Sequence, residues 1–162
     1  AHHFDIAQWA LEMDHSGPVS IEPPADGSKN GLKLTYANGI EMFHGGPADV
    51  TFEGEKGTLY VSRGSIRTDP ASILEQPIGE DDKHVYPSNN HHRNWIDCMK
   101  SRQQTICPAE VGHRTATICH LTNIGYRLGR ALQWNPRSEK FVGDNEANGL
   151  LWREPRKQWD VI

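Results

Sequence analysis

The stretch from Val19 to about Arg67 constrains the chain most. Its runs VSIEP, LKLTYANGIEMFHGG and DVTFEGEKGTLYVSRGSIRT are rich in Val, Ile, Thr, Tyr and Phe and are broken repeatedly by glycine. Branched and aromatic side chains suit a pleated, half-buried surface, so these runs predict strands. Asn38-Gly39 stands between two of them, the signature of a type I′ hairpin, and Glu55-Lys56-Gly57 supplies the next tight turn. Strands joined by turns this short pair antiparallel, because a parallel pair needs a crossover of a dozen residues or more. A meander is expected.

Helical signals flank it. Phe4, Ala7 and Leu11, with Ile6, Ala10 and Met13, recur at helical spacing, which predicts an opening amphipathic helix ended by Gly17-Pro18. Asn89-Asn90 caps the segment HHRNWIDCMKSR, with Trp95, Ile96 and Met99 expected to point inward. Pro108 opens a longer helix to about Arg130, with Ile118, Leu121, Gly125 and Leu128 along one side and Gly129 at its end. Between strands and helices lies a polar, Pro-punctuated connection with room for one helical turn. The tail turns into a short helix led by Asp144 or Asn145. The 162 residues suffice for one domain with a substantial core. The layout is α+β: an open, mainly antiparallel β-sheet with helices packed on one face. An open sheet with no second covering layer leaves apolar side chains exposed, so its other face is expected in a homo-oligomer contact.

Composition narrows the partners. Hydrophobic residues make up 36% and charged residues 23%, and the net charge is −4 with no Lys/Arg stripe. That balance argues against nucleic acid and against an anionic membrane surface. No apolar run approaches a membrane span. Cys98, Cys107 and Cys119 form no CxxC, which fits buried or inert thiols rather than a disulfide framework.

Nine histidines raise the question of a metal. His113 and His120 are seven apart on one helix, about 10.5 Å along its axis, too far to share an ion. His2-His3 and His91-His92 are adjacent, and neighbours on a helix point roughly 100° apart. No HxxxH or HExxH occurs, so no metal site is expected from local spacing. A GxSxG elbow is missing as well. No two glycines are spaced as GxG, so neither the dinucleotide fingerprint nor a P-loop is present. What remains is His2 and Asp5, at i and i+3 on one face of a helix N-terminus, where a cleft can reach a side chain without burying it. Spacing alone fits equally well a capping aspartate beside two solvent-facing histidines. His44, in the glycine-rich FHGG, lies where backbone can approach a ligand. His91 and His92, at a helix start ahead of Trp95, are further candidates for substrate contact, as is His3. His15, His84, His113 and His120 read as structural or solvated.

Four stretches together carry a family resemblance: AHHFDIAQWALEMDHSGPVSIEPP, NGIEMFHGGPADVTFEGEKGTLYVSRG, NHHRNWIDCMKSRQQTICPAEVGHRTATICHLTNIGYRLGRALQWNP and FVGDNEANGLLWREPRKQW. In this order they resemble the C-terminal domain of the glucose–fructose oxidoreductase / inositol dehydrogenase (Gfo/Idh/MocA) family, in the branch abundant in planctomycetes. The resemblance implies that residues 1–162 are a substrate-binding and oligomerisation domain, whose N-terminal Rossmann domain, holding NAD or NADP, is absent from this chain. It implies an oxidoreductase acting on a hydroxyl of a sugar or polyol. His2 matches the catalytic histidine of the family's DxxxHxxD pattern and Asp5 its second aspartate. The first aspartate would precede Ala1, and the family's Glu-Lys-Pro lysine is missing too; Glu55-Lys56-Gly57 is a hairpin turn. Two other readings stay open: a redox-neutral enzyme that cleaves a glycoside through transient oxidation, and a non-catalytic carbohydrate-binding or assembly module. The resemblance is compatible with a cytoplasmic protein or with one exported by a twin-arginine signal.

Overall fold

The computed structural model describes residues 1–46 and 50–156. In chain order the elements are α1 (His2–Ala10), β1 (Ser20–Glu22), β2 (Lys33–Thr35), β3 (Glu41–Phe43), β4 (Val50–Gly54), β5 (Gly57–Ser62), β6 (Ser65–Asp69), α2 (Ser72–Glu75), α3 (His91–Ser101), α4 (Ala109–Leu128), β7 (Leu132–Asn135), β8 (Lys140–Phe141) and α5 (Asn145–Gly149). They are α+β with antiparallel sheets throughout the described residues. The strand meander is not one sheet, however. The chain forms two compact units, one from Ser16–Gly46 with Ala116–Ile162, the other from Ala1–His15 with Pro47–Thr115.

The first of these, the core unit, holds a five-stranded sheet in the order β3-β2-β1-β7-β8. The edge of β1 that a continuing meander would use is taken by β7 instead, with Ser20 opposite Gln133 and Ile21 opposite Leu132. One face buries Ile21, Leu34, Leu132 and Trp134, and α4 adds Ile118, Leu121 and Ile124 to the same core. Each such side chain contributes about 1.5–3 kcal/mol of hydrophobic stabilisation. Gly125 lets α4 close in, since a Cβ there would meet Ile21 Cγ2 at 2.7 Å and Leu32 Cδ1 at 2.9 Å. The opposite face of the sheet is polar. Gln133 Nε2 donates to Ser20 Oγ, which donates to Glu22 Oε1, both at 3.2 Å. Lys33 Nζ lies 3.4 Å from Glu22 and 3.0 Å from Glu41. Phe43 on β3 is exposed on this face. The sheet's alternation puts every large aliphatic residue of β1 and β2 on the core side.

The turn between β2 and β3 also differs from a type I′ hairpin. Tyr36 and Ile40 bracket a three-residue loop, with Tyr36 N–H donating to Ile40 O at 2.9 Å and Gly39 N–H to Tyr36 O at 3.0 Å. Gly39 alone has positive φ, +87°, whereas type I′ requires it at both central residues. The Asn38 side chain accepts from Ile40 N–H at 3.1 Å, closing the loop without leaving the right-handed region.

In the second unit β4, β5 and β6 form a three-stranded sheet. Gly57 (φ +144°) is required there: a Cβ would stand 2.2 Å from Asp69 O. Asp49, which the sequence places at the start of this strand run, lies outside the described residues, as does the end of the tail from residue 157. Helix α1 stops well before Gly17-Pro18. Glu12 N–H donates to Trp9 O at 3.0 Å and Met13 N–H to Gln8 O at 2.9 Å, a Schellman closure with Glu12 left-handed at φ +58°. A second bond, Gln8 Nε2 to Met13 O at 2.6 Å, pins that end. Glutamate occupies the position where glycine is usual, so the sequence carries no stop signal there. Helix α3 is capped as expected, Asn90 Oδ1 accepting from Arg93 N–H at 2.9 Å. Its Trp95, Ile96 and Met99 do not point inward: they are 58%, 38% and 45% exposed, and Cys98 is the residue α3 buries. Helical periodicity marks an apolar stripe but not what covers it.

Candidate active site

The first turn of α1 has no side-chain cap. Asp5 is therefore not the capping aspartate that spacing left open. Its carboxylate instead accepts from Thr115 Oγ1 at 2.8 Å, across 110 residues. Thr115 is buried on α4, and a carboxylate in the first turn of a helix is favoured by the helix dipole. A carboxylate has about four acceptor sites on two oxygens, so the bond to Thr115 commits only one of them. His2, three residues earlier on the same face, is exposed, and so is His3.

The electrostatics around Asp5 are acidic. Cys107 is exposed; partial desolvation, and after it the Asp5 and Asp14 carboxylates, push its thiol up. A thiol so placed stays protonated and is a poor nucleophile. Asp14 contributes a buried Oδ1 with no hydrogen-bond partner among the described residues. Cys98 and Cys119 are free as well.

His91 and His92 occupy the first turn of α3, both exposed. Their backbone directions diverge, yet the rings meet, with centroids 4.0 Å apart and planes inclined at 39°. Adjacent spacing argued against convergence because it fixes the Cα–Cβ directions; rotation about χ1 and χ2 brings the rings together beyond them.

His44 belongs to the core unit. It follows β3, and its backbone extends the ladder: His44 N–H donates to Leu32 O at 2.9 Å, and Gly31 N–H to His44 O at 2.6 Å. The Tyr126 hydroxyl accepts from Leu32 N–H at 3.1 Å and lies 3.0 Å from His44 Nδ1. The two rings meet edge to face at 5.6 Å.

His84 Nε2 pairs with Gly79 O at 2.9 Å within its own loop, and His15, His113 and His120 are exposed. No group of three or more His, Cys, Asp or Glu side chains is gathered for a metal ion among the described residues. No described helix is long and apolar enough to cross a membrane. Sequence reasoning missed Thr115 and Tyr126, the partners of Asp5 and His44. Nothing local marks either one, since each acts across more than eighty residues.

Residues 1–161 match the family described as "Oxidoreductase family, C-terminal alpha/beta domain", of Gfo/Idh/MocA type. No curated protein and no solved structure matches the chain.

Proposed function

Because this chain belongs to the Gfo/Idh/MocA oxidoreductase family as its C-terminal α/β domain, we propose that it binds the substrate of an NAD(P)-dependent enzyme that oxidises or reduces a sugar or polyol hydroxyl. A nicotinamide supplies the hydride acceptor in such chemistry. The described strands pair antiparallel throughout, with no β-α-β turn to seat a pyrophosphate, so these residues do not fit the dinucleotide. The steps assigned to this chain are therefore proton and positioning steps alone. His2 takes the proton of the reacting hydroxyl on its imidazole, a group suited to transfer near neutral pH, and returns it in the reverse direction. Asp5 orients the imidazole or accepts from a neighbouring substrate hydroxyl. His3, His44, His91 and His92 are the remaining proposed substrate contacts, each open to its own alanine test. A homo-oligomer through the sheet strands remains part of this reading, supported by the exposed apolar side chains Phe43 on β3 and Ile66 on β6.

The observation that carries the reading is the first turn of α1: an exposed histidine with an aspartate one turn on, the aspartate held by a buried hydroxyl. In the intact protein, assayed for nicotinamide reduction against a panel of sugars and polyols, His2→Ala is expected to lower turnover by roughly 10²–10⁴, the contribution of a positioned acid–base group. His3→Ala is expected to cost far less, its Cα–Cβ bond leaving the helix about 100° away from that of His2. Loss of activity in His3→Ala with full activity in His2→Ala would refute the assignment.

A further inference from the structure

We infer that Thr115 is a positioning residue of the candidate site, its buried hydroxyl fixing Asp5 on the face of α1 that carries His2. The inference rests on the reading of His2 and Asp5 given above. Its own warrant is the choice Thr115 makes. A threonine inside a helix commonly donates back to the carbonyl one turn earlier. Thr115 is 7% exposed and lies well within α4, so its hydroxyl must find an acceptor. It donates to Asp5 Oδ1, 110 residues away and at 2.8 Å, a bond strengthened by the charge on a carboxylate acceptor. An aspartate on an exposed helix turn ordinarily moves among its rotamers. One oxygen anchored to a buried donor restricts the rotation of the carboxylate, on the helix face where His2 stands three residues before. A loose Asp5 carboxylate could turn elsewhere; a pinned one keeps its place on the face of α1 that carries His2.

The test reads the His2 imidazole directly, in the intact protein with isotope-labelled histidine, its ring signal identified by its loss in His2→Gln. Asp5→Asn is expected to displace that signal at fixed pH. Thr115→Val, of the same shape without the donor, is expected to displace it in the same direction and at least half as far. Thr115→Ser is expected to restore the wild-type position. The double variant is expected to move the signal no further than Asp5→Asn alone. If Thr115→Val does not fold, Thr115→Ala, which is smaller and keeps no donor, takes its place. A signal that Asp5→Asn leaves unmoved overturns the His2–Asp5 reading and this inference with it. A signal that moves with Asp5→Asn but not with Thr115→Val overturns this inference alone. So does a failure of Thr115→Ser to restore it, or a further displacement in the double variant.

Discussion

A single side chain at Asp144 does two jobs, and pH separates them. Its carboxylate caps α5, accepting from Ala147 N–H at 3.0 Å, and pairs with Arg130, which also reaches Glu146 at 2.8 Å. The Arg130 guanidinium, and after it the Ala147 N–H, hold the Asp144 carboxyl down from 3.8 to about 2. Since the folded value lies below the unfolded one, the stabilisation is complete above the unfolded value and is lost as acid protonates the folded state. Asp144→Asn keeps the cap and removes the charge. We expect it to melt at lower temperature than the wild type at neutral pH, with the difference closing between about pH 4 and about pH 2. A gap that persists unchanged at the acid end would show that the ion pair is not its source. The sequence offered Asp144 or Asn145 as the head of α5 and Asn89-Asn90 before α3; the structure makes Asp144 and Asn90 the caps. The partners of Asp5 and His44 were not legible. Local chemistry writes a cap into four consecutive residues, whereas Thr115 and Tyr126 are ordinary helix residues whose role exists only after the chain has folded.

Among the elements, α4 shows how propensity and packing oppose each other. Replacing Gly125 by alanine would raise intrinsic helix stability by about 1 kcal/mol. The added Cβ would stand 2.7 Å from Ile21 and 2.9 Å from Leu32, inside the best-buried part of the core. Overpacking of this kind costs about 1–3 kcal/mol. Gly125→Ala is therefore expected to lower stability in urea unfolding despite the better helix former; a rise in midpoint would mean that α4 moves away from β1 freely. The apolar side of α4 was readable from its period, and so were its opening at Pro108 and its close at Gly129. Helix α1 was readable in type but not in length, because Glu12 closes it without a glycine. Helix α3 was readable in place and cap, but an apolar stripe at Trp95, Ile96 and Met99 has the same spacing whether it is covered or bare.

At the scale of the whole molecule, most of the buried apolar side chains lie in the core unit, from Ile21 and Leu34 to Leu132 and Trp134, while His2, Asp5, His91 and His92 lie in the other. The sequence showed strands, turns and fold class plainly. It did not show that β1 turns to β7 rather than to the strands that follow it, because alternation records which face is buried and not which strand is the neighbour. We expect calorimetry on residues 1–162 to detect no micromolar binding of NAD+ or NADP+, since the chain has no GxG turn to approach a pyrophosphate; such binding would remove the need for a separate cofactor domain. The pairing of β1 with β7 also sets a timetable for synthesis. Ser20 and the Gln133 it bonds are 113 residues apart, on the order of ten seconds of translation. Throughout that interval the nascent β1 exposes a strand edge, a template for pairing with other chains until β7 covers it. The contiguous strands β4, β5 and β6 can close meanwhile, so the ribosome completes the later-starting sheet before the one it began first.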